Sequence, residues 1–183
     1  MKYNISNLLT LFRIFIIPII LIAILMKGPL SSYLAFLFFC IAGISDFFDG
    51  YFARIWKEQT NFGTFLDPIA DKLLVASVIL ILTSIGTING WTTIPALIIL
   101  LREITVSGLR EFLAKIEVSV PVSHIAKFKT MLQMVALALL ILRQSNLDFA
   151  LILYLGKYAL WIAAILTLYT GYDYMRSAIK HIN

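Results

Sequence analysis

Six long runs of apolar residues make up most of the chain, and short polar breaks separate them. The runs cover roughly residues 8–26, 31–55, 62–85, 92–113, 124–143 and 149–176. A helix needs about 20 apolar residues to cross the hydrocarbon core of a bilayer, and each run has about that length or more. The pattern therefore predicts an all-α integral membrane protein with six transmembrane helices.

Composition supports this class of protein. Hydrophobic residues make up 61% of the 183 residues and charged residues only 14%, whereas a soluble domain is nearer half apolar and a quarter charged. No long linker or polar segment divides the chain, so one membrane domain over residues 1–183 is expected. Cys40 is the only cysteine, so no intrachain disulfide can form.

The distribution of positive charge predicts the topology. The net charge is +5, and in a membrane protein such an excess indicates orientation and affinity for anionic lipid rather than nucleic-acid binding. Most lysines and arginines fall at one set of helix ends, and few, such as Lys27 and Arg143, fall at the other. The positive-inside rule makes the first set cytoplasmic, with both termini there. The expected location is the cell membrane.

Four aspartates interrupt the second and third apolar runs. Asp46 and Asp49 are three residues apart, and Asp67 and Asp71 are four apart, so each pair lies on one face of its helix. A carboxylate in the bilayer costs at least about 2.5 to 3.5 kcal/mol and normally faces a bundle interior or a water-filled cavity. The two helices run in opposite directions and bring the pairs to similar depth. The sequence predicts a polar cavity open to the cytoplasmic side.

The cavity offers carboxylate oxygens as ligands. Hard divalent cations such as Mg²⁺, Mn²⁺ or Ca²⁺ fit such a donor set, whereas zinc does not. Two cations would neutralise four carboxylates and hold a pyrophosphate, and one aspartate would be free to accept a proton from an attacking hydroxyl. The alternative interpretation is that the aspartates form internal salt bridges with Arg and Lys. Gly50 and Gly63 admit a ligand close to the backbone, although Gly50 with Ala53 is also typical of tight helix packing.

These residues form one motif of fixed spacing. It reads Asp46-x-x-Asp49-Gly50-x-x-Ala53-Arg54, then eight residues, then Gly63-x-x-x-Asp67-x-x-x-Asp71. The motif resembles the signature of the CDP-alcohol phosphotransferase family at all eight fixed positions. The opening, from Asn4 to Arg13 with Pro18, and the segment from Arg102 to Glu111 resemble the members of that family that make phosphatidylglycerophosphate.

The resemblance implies an activity and assigns roles to residues. Members transfer a substituted phosphate from a CDP-linked donor, here CDP-diacylglycerol, to an alcohol and release CMP. It implies that Asp46, Asp49, Asp67 and Asp71 bind two divalent cations, Mg²⁺ or Mn²⁺, and that Asp71 is also the general base. The residues implied to bind the CDP group are Asn7, Thr10, Arg13, Gly50, Ala53, Arg54 and Gly63. Arg13 alone would also fit an interfacial arginine. A homodimer is implied as well.

A second group of cations indicates the acceptor. The residues expected to bind its phosphate are Arg102, Arg110, Lys127 and Lys129. Arg102 is expected level with the aspartates, where a buried arginine needs an anion. That anion is either a phosphate or a carboxylate such as Glu103, and the two lysines would also fit interfacial charges. A phosphorylated acceptor agrees with the resemblance, which implies sn-glycerol 3-phosphate.

Two alternative functions remain open from the sequence. A sister phosphotransferase would use phosphatidylglycerol or inositol phosphate as the acceptor. A divalent-cation transporter would use the four aspartates as an ion path, but the far halves of the spans lack acidic residues.

Near the C-terminus, Tyr169, Tyr172 and Tyr174 are typical of an interfacial aromatic belt.

Overall fold

The computed structural model describes most of the chain as helices. It covers residues 5–26, 28–56, 61–116, 118, 124–142 and 150–180, with only the backbone described for 5–7, 46–56, 61–62, 64–65 and 124. Within these ranges there are six α-helices and one short 3-10 helix, and no strand.

The helix positions follow the six apolar runs. Helices α1 to α6 span Ile5–Leu25, Pro29–Trp56, Asn61–Ser84, Thr93–Lys115, His124–Ile141 and Ala150–Ile179, and the 3-10 helix is Gly90–Thr92. The all-α prediction is confirmed. Among the described residues, three segments are long and apolar enough to cross a membrane, namely Leu8–Leu25, Gly90–Lys115 and Ala150–Ile179. Six spans and a cytoplasmic cavity stay predictions.

One apolar core receives side chains from all six helices. The residues that are almost completely buried in it include Ile20, Phe39, Val78, Ile99, Leu137 and Leu160, one from each helix. Large apolar side chains also cover the outside: Phe15 and Leu30 are each 72% exposed. A soluble protein rarely exposes apolar surface on this scale, so the outer surface suits lipid.

The packing order places the polar residues. Helix α1 packs against α2 and α3, while α6 packs against both α4 and α5. Helices α4 and α6 run in the same direction, because Arg102 contacts Thr170 and Arg110 contacts Tyr174. Arg102 of α4 therefore lies at the level of Thr170, in the second half of α6.

A glycine turn ends α3 and allows the chain to reverse. Gly86 has φ of 76°, a left-handed conformation that glycine adopts without a steric penalty. The backbone N–H of Thr87 donates to the carbonyl of Leu82 at 2.9 Å, and that of Gly86 donates to Thr83 at 3.1 Å. These two bonds form a Schellman cap, from which the chain enters α4.

Candidate active site

Two of the four motif carboxylates are described, and both lie on α3. Asp67 and Asp71 are one turn apart and partly buried. Thr10 of α1 is fully buried, and its hydroxyl donates a hydrogen bond to Oδ1 of Asp67. This bond fixes the orientation of the carboxylate across the α1–α3 contact. The pair presents oxygen donors of the kind that hard divalent cations prefer, so the described half of the predicted set fits such a cation.

The other half of the motif lies on α2, where the side chains are outside the described part. This applies to Asp46, Asp49, Gly50, Ala53 and Arg54, although the backbone there continues as a helix to Trp56. Among the described side chains, no group of three or more His, Cys, Asp or Glu comes together. A cation site shared by α2 and α3 therefore stays a prediction.

The polar side of α1 faces the protein interior. Thr10 and Arg13 are three residues apart and both are 0% exposed, so Arg13 does not have the interfacial position considered as an alternative. A buried guanidinium requires polar or anionic surroundings. Gly63, at the start of α3, is also buried, and the side chain of Asn7 is outside the described part. Nucleotide binding by these residues stays a prediction.

A second polar cluster joins α4, α5 and α6. The ammonium of Lys129 donates a hydrogen bond to Oε1 of Glu103, and Nη1 of Arg102 lies 3.4 Å from the same oxygen. Nη2 of Arg102 lies 3.5 Å from the hydroxyl of Thr170. The Arg102 side chain crosses Gly171, where an added Cβ would meet its Cγ at 3.0 Å. One carboxylate thus holds two cations, with Lys129 only 2% exposed.

The two polar regions are electrostatically connected. Asp71 of α3 lies within electrostatic range of Lys129 on α5. Lys72, the residue after Asp71, donates a hydrogen bond to the hydroxyl of Ser107, and this bond joins α3 to α4. The motif aspartate and the cation cluster therefore border the same region of the protein. Such an arrangement can bind an anionic group at the cations and accept a proton at the carboxylate.

Comparison with known proteins adds the family. Residues 3–169 match the family model described as CDP-alcohol phosphatidyltransferase. The chain belongs to the CDP-alcohol phosphatidyltransferase family. This membership confirms the resemblance that the motif indicated.

Curated relatives of similar length carry a more specific name. A protein of Rickettsia bellii (strain RML369-C) is 48% identical over 178 residues, which is 97% of this chain and 97% of that protein. One from Escherichia coli (strain K12) is 42% identical over 180 residues, 97% of this chain and 96% of its own length. Both are named CDP-diacylglycerol–glycerol-3-phosphate 3-phosphatidyltransferase.

Within this family member, the four cations predicted to bind the acceptor differ in burial. Arg102 and Lys129 share one cluster, whereas Lys127 and Arg110 are exposed. Residues two apart on a helix face different sides, so Lys127 cannot face the interior together with Lys129. The guanidinium of Arg110 lies 5.8 Å from the ring centroid of Tyr174, a cation–π contact.

One aromatic prediction is wrong and another is consistent with the structure. Tyr174 is only 9% exposed and packs in a small core with Val106, so it does not belong to an interfacial belt. The reason is its position on the buried stripe of α6, one turn after Gly171. Tyr169 and Tyr172 are 60% and 64% exposed, as expected of belt residues.

Sequence reasoning missed several polar residues of the cluster. Thr170 lies in a largely apolar helix, and only its position on the buried stripe of that helix would indicate it. Gln133 is 2% exposed and lies four residues after Lys129, a spacing that places both on one face. Lys72 directly follows Asp71, and a lysine within an apolar run could itself have indicated a polar site.

Proposed function

We propose that this protein transfers the phosphatidyl group from CDP-diacylglycerol to sn-glycerol 3-phosphate, giving phosphatidylglycerophosphate and CMP. The observation that carries this proposal is the cluster in which Glu103 holds both Arg102 and Lys129, with the charge of Asp71 within electrostatic range of Lys129. The names of the relatives support the same reaction. A neutral acceptor such as inositol would leave two deeply placed cations without a substrate group to bind.

The acceptor phosphate binds at the cluster on α4 and α5. Arg102 offers a planar fork of donors that suits phosphate oxygens, and Lys129 adds a compact charge. Glu103 holds both cations near each other before the substrate arrives. Arg110 and Lys127, being exposed, attract the dianionic acceptor from the cytoplasm rather than holding it.

Asp71 accepts the proton of the acceptor's primary hydroxyl. The hydroxyl oxygen then forms a bond to the phosphorus that carries diacylglycerol, and the bond from that phosphorus to the oxygen of CMP breaks. The proton stays on the Asp71 carboxyl, and CMP leaves with the electron pair.

The donor's CDP group occupies the side of the site formed by α1, α2 and α3. Asp46, Asp49, Asp67 and Asp71 would hold two divalent cations, Mg²⁺ or Mn²⁺, which would neutralise the pyrophosphate. Arg13 and Thr10, buried on α1, Gly63 on α3, and Gly50, Ala53 and Arg54 on α2 border the nucleotide. The proposal includes the homodimer, the site facing the cytoplasm and both termini on that side.

Family membership weighs against the alternatives. The divalent-cation transporter loses its support, because the chain belongs to a family of transferases. Phosphatidylglycerol or inositol phosphate as acceptor would also engage a cation cluster, so these sister reactions are outcomes of the test below.

The test is an acceptor competition with purified protein in detergent containing CDP-diacylglycerol. CMP release is measured with glycerol 3-phosphate, inositol phosphate, phosphatidylglycerol, inositol and serine, each with and without a chelator. We expect glycerol 3-phosphate to give the highest rate and the chelator to abolish it. Faster release with another acceptor rejects the assigned substrate, and Asp71→Asn with nearly normal turnover rejects the assigned base.

A further inference from the structure

Three buried polar atoms of the α4–α5–α6 cluster lack a hydrogen-bond partner within the described protein. They are Nε of Arg102, Oε1 of Gln133 and Oγ1 of Thr167. Gln133 is 2% exposed and Thr167 is 0% exposed, so bulk water does not satisfy them. The large majority of buried side-chain polar atoms in proteins do have a partner, either protein or ordered water. A partner from outside the chain is therefore implied for this group of atoms.

Helix register places Thr167 beside the cation cluster. Leu140, near the end of α5, packs against Gly156, near the start of α6: a Cβ added at Gly156 would lie 3.0 Å from the Leu140 side chain. Because the end of one helix meets the start of the next, the two helices are antiparallel. Lys129 lies eleven residues before Leu140, and Thr167 lies eleven residues after Gly156. Because each residue adds about 1.5 Å along a helix, Lys129 and Thr167 lie at the same level.

The other two atoms belong to the same region. Gln133 lies one turn deeper than Lys129 on the same face of α5. Arg102 packs against Gly171, which is one turn after Thr167 on the buried stripe of α6. The three unpartnered atoms thus come from three adjacent helices, next to the ion pair of Lys129 with Glu103 and the region that Asp71 borders.

The chemistry of a phosphorylated polyol matches this set of atoms. Glycerol 3-phosphate has a phosphate at one end, the reacting hydroxyl at the other and a secondary hydroxyl between them. In the proposed function, Arg102 and Lys129 hold the phosphate and Asp71 receives the reacting hydroxyl. The secondary hydroxyl lies between these two ends of the substrate. Beside the cation cluster, Gln133 offers an amide acceptor and Thr167 a hydroxyl donor that match it.

We infer that Gln133 and Thr167 bind the secondary hydroxyl of the acceptor and so determine its selection. The Gln133 carbonyl oxygen accepts the hydrogen bond of that hydroxyl, and the Thr167 hydroxyl donates to its oxygen. Nε of Arg102 donates to a phosphate oxygen. This inference rests on the proposed function, and it adds recognition of a polyol to recognition of a phosphate.

The experiment compares two acceptors that differ only in this hydroxyl. They are glycerol 3-phosphate and 3-hydroxypropyl phosphate, which keeps the phosphate and the primary hydroxyl. The measured quantity is the ratio of their kcat/KM values in wild type, Thr167→Val and Gln133→Leu. A site that hydrogen-bonds a substrate hydroxyl discriminates strongly against the analogue that lacks it. We expect the wild-type ratio to favour glycerol 3-phosphate and to fall about tenfold or more in each variant.

The controls separate recognition from stability. The ratio is internal to each preparation, so a variant that folds only in part gives the same ratio for its active fraction. Thr87→Val is the matched control, because Thr87 is also buried with an unpartnered hydroxyl but lies in the turn between α3 and α4. Its ratio should equal that of wild type.

Three results would overturn part or all of the inference. A wild-type ratio near one, or an unchanged ratio in both Thr167→Val and Gln133→Leu, means that these atoms bind a structural water instead. In either case the proposed function survives, provided that wild type uses glycerol 3-phosphate. A wild-type protein that does not use glycerol 3-phosphate rejects the proposed function, and the inference with it.

Discussion

Lys129 of α5 and Glu103 of α4 form an ion pair inside the protein, with the lysine side chain 2% exposed and the glutamate 21% exposed. The same carboxylate oxygen lies 3.4 Å from the Arg102 guanidinium, so one negative charge serves two positive charges. The cluster of Arg102, Lys129 and Glu103 therefore retains a net positive charge, which attracts a phosphate group. An ion pair that serves stability alone would require only one cation.

Glu103→Ala should destabilise the protein, because it leaves the Lys129 ammonium buried without its partner. Removing one member of a buried ion pair costs about 3 kcal/mol or more, which corresponds to a fall in melting temperature of about 6 °C or more for a chain of this size. Thermal unfolding in detergent measures this change.

The double variant provides the comparison for this prediction. Glu103→Ala with Lys129→Met removes both charges and should recover most of the stability. Its KM for glycerol 3-phosphate should nevertheless stay above that of wild type. Glu111→Ala, at an exposed position of the same helix, should melt like wild type. Wild-type melting of Glu103→Ala would show that the ion pair does not stabilise the protein.

Gly171→Ala should raise the KM for glycerol 3-phosphate several-fold. The added methyl would lie 3.0 Å from Cγ of Arg102 and 3.5 Å from its Nε, so the guanidinium must shift from its position near Thr170. The KM for CDP-diacylglycerol should stay unchanged, because α1 and α3 do not contribute to this contact. Initial rates with each substrate varied in turn separate the two constants.

Gly108→Ala is the matched control for Gly171→Ala. Gly108 also lies within a helix, but an added Cβ there meets nothing within 4 Å. Alanine is favoured over glycine in a helix by about 1 kcal/mol, so this variant should be as stable as wild type or more stable, with unchanged KM values. Equal KM values for glycerol 3-phosphate in both variants would contradict the packing of Arg102 on Gly171.

Ser107→Ala should lower stability by about 1 kcal/mol without changing either KM. Ser107 accepts the hydrogen bond of the Lys72 ammonium across the α3–α4 contact, and a hydrogen bond to a charged group contributes a net stabilisation of about 1.5 to 3 kcal/mol. Lys72 is only partly buried and regains some hydration. Thermal unfolding measures the loss, and Ser84→Ala at an exposed position is the control. A changed KM for the acceptor would instead place Ser107 in the substrate site.

The helices could be predicted from the sequence because their signal is length and apolarity. The separation of Lys127 from Lys129 required the rotation of α5 about its axis. That rotation follows from the buried stripe of Lys129, Gln133, Leu137 and Leu140, which contains polar residues that a search for apolar residues passes over.

The partners of Arg102 were harder to predict from the sequence. Glu103 was an evident candidate, since it is adjacent in the chain. Thr170 is distant in sequence, and its contact requires α4 and α6 to be neighbours, which loop lengths and charge patterns do not determine. The burial of Tyr174 follows from the same packing.

Thr10→Val should raise the divalent-cation concentration required for half-maximal activity. The variant removes the hydroxyl that donates to Oδ1 of Asp67 and keeps nearly the same shape. Groups that orient a metal-binding carboxylate typically change metal affinity by about 10- to 100-fold when they are removed. Titration of chelator-treated protein with Mg²⁺ or Mn²⁺, followed by CMP release, measures the requirement. Thr10→Ser keeps the donor and should behave like wild type, whereas an unchanged cation requirement in Thr10→Val would mean that this hydrogen bond does not support a metal site at Asp67.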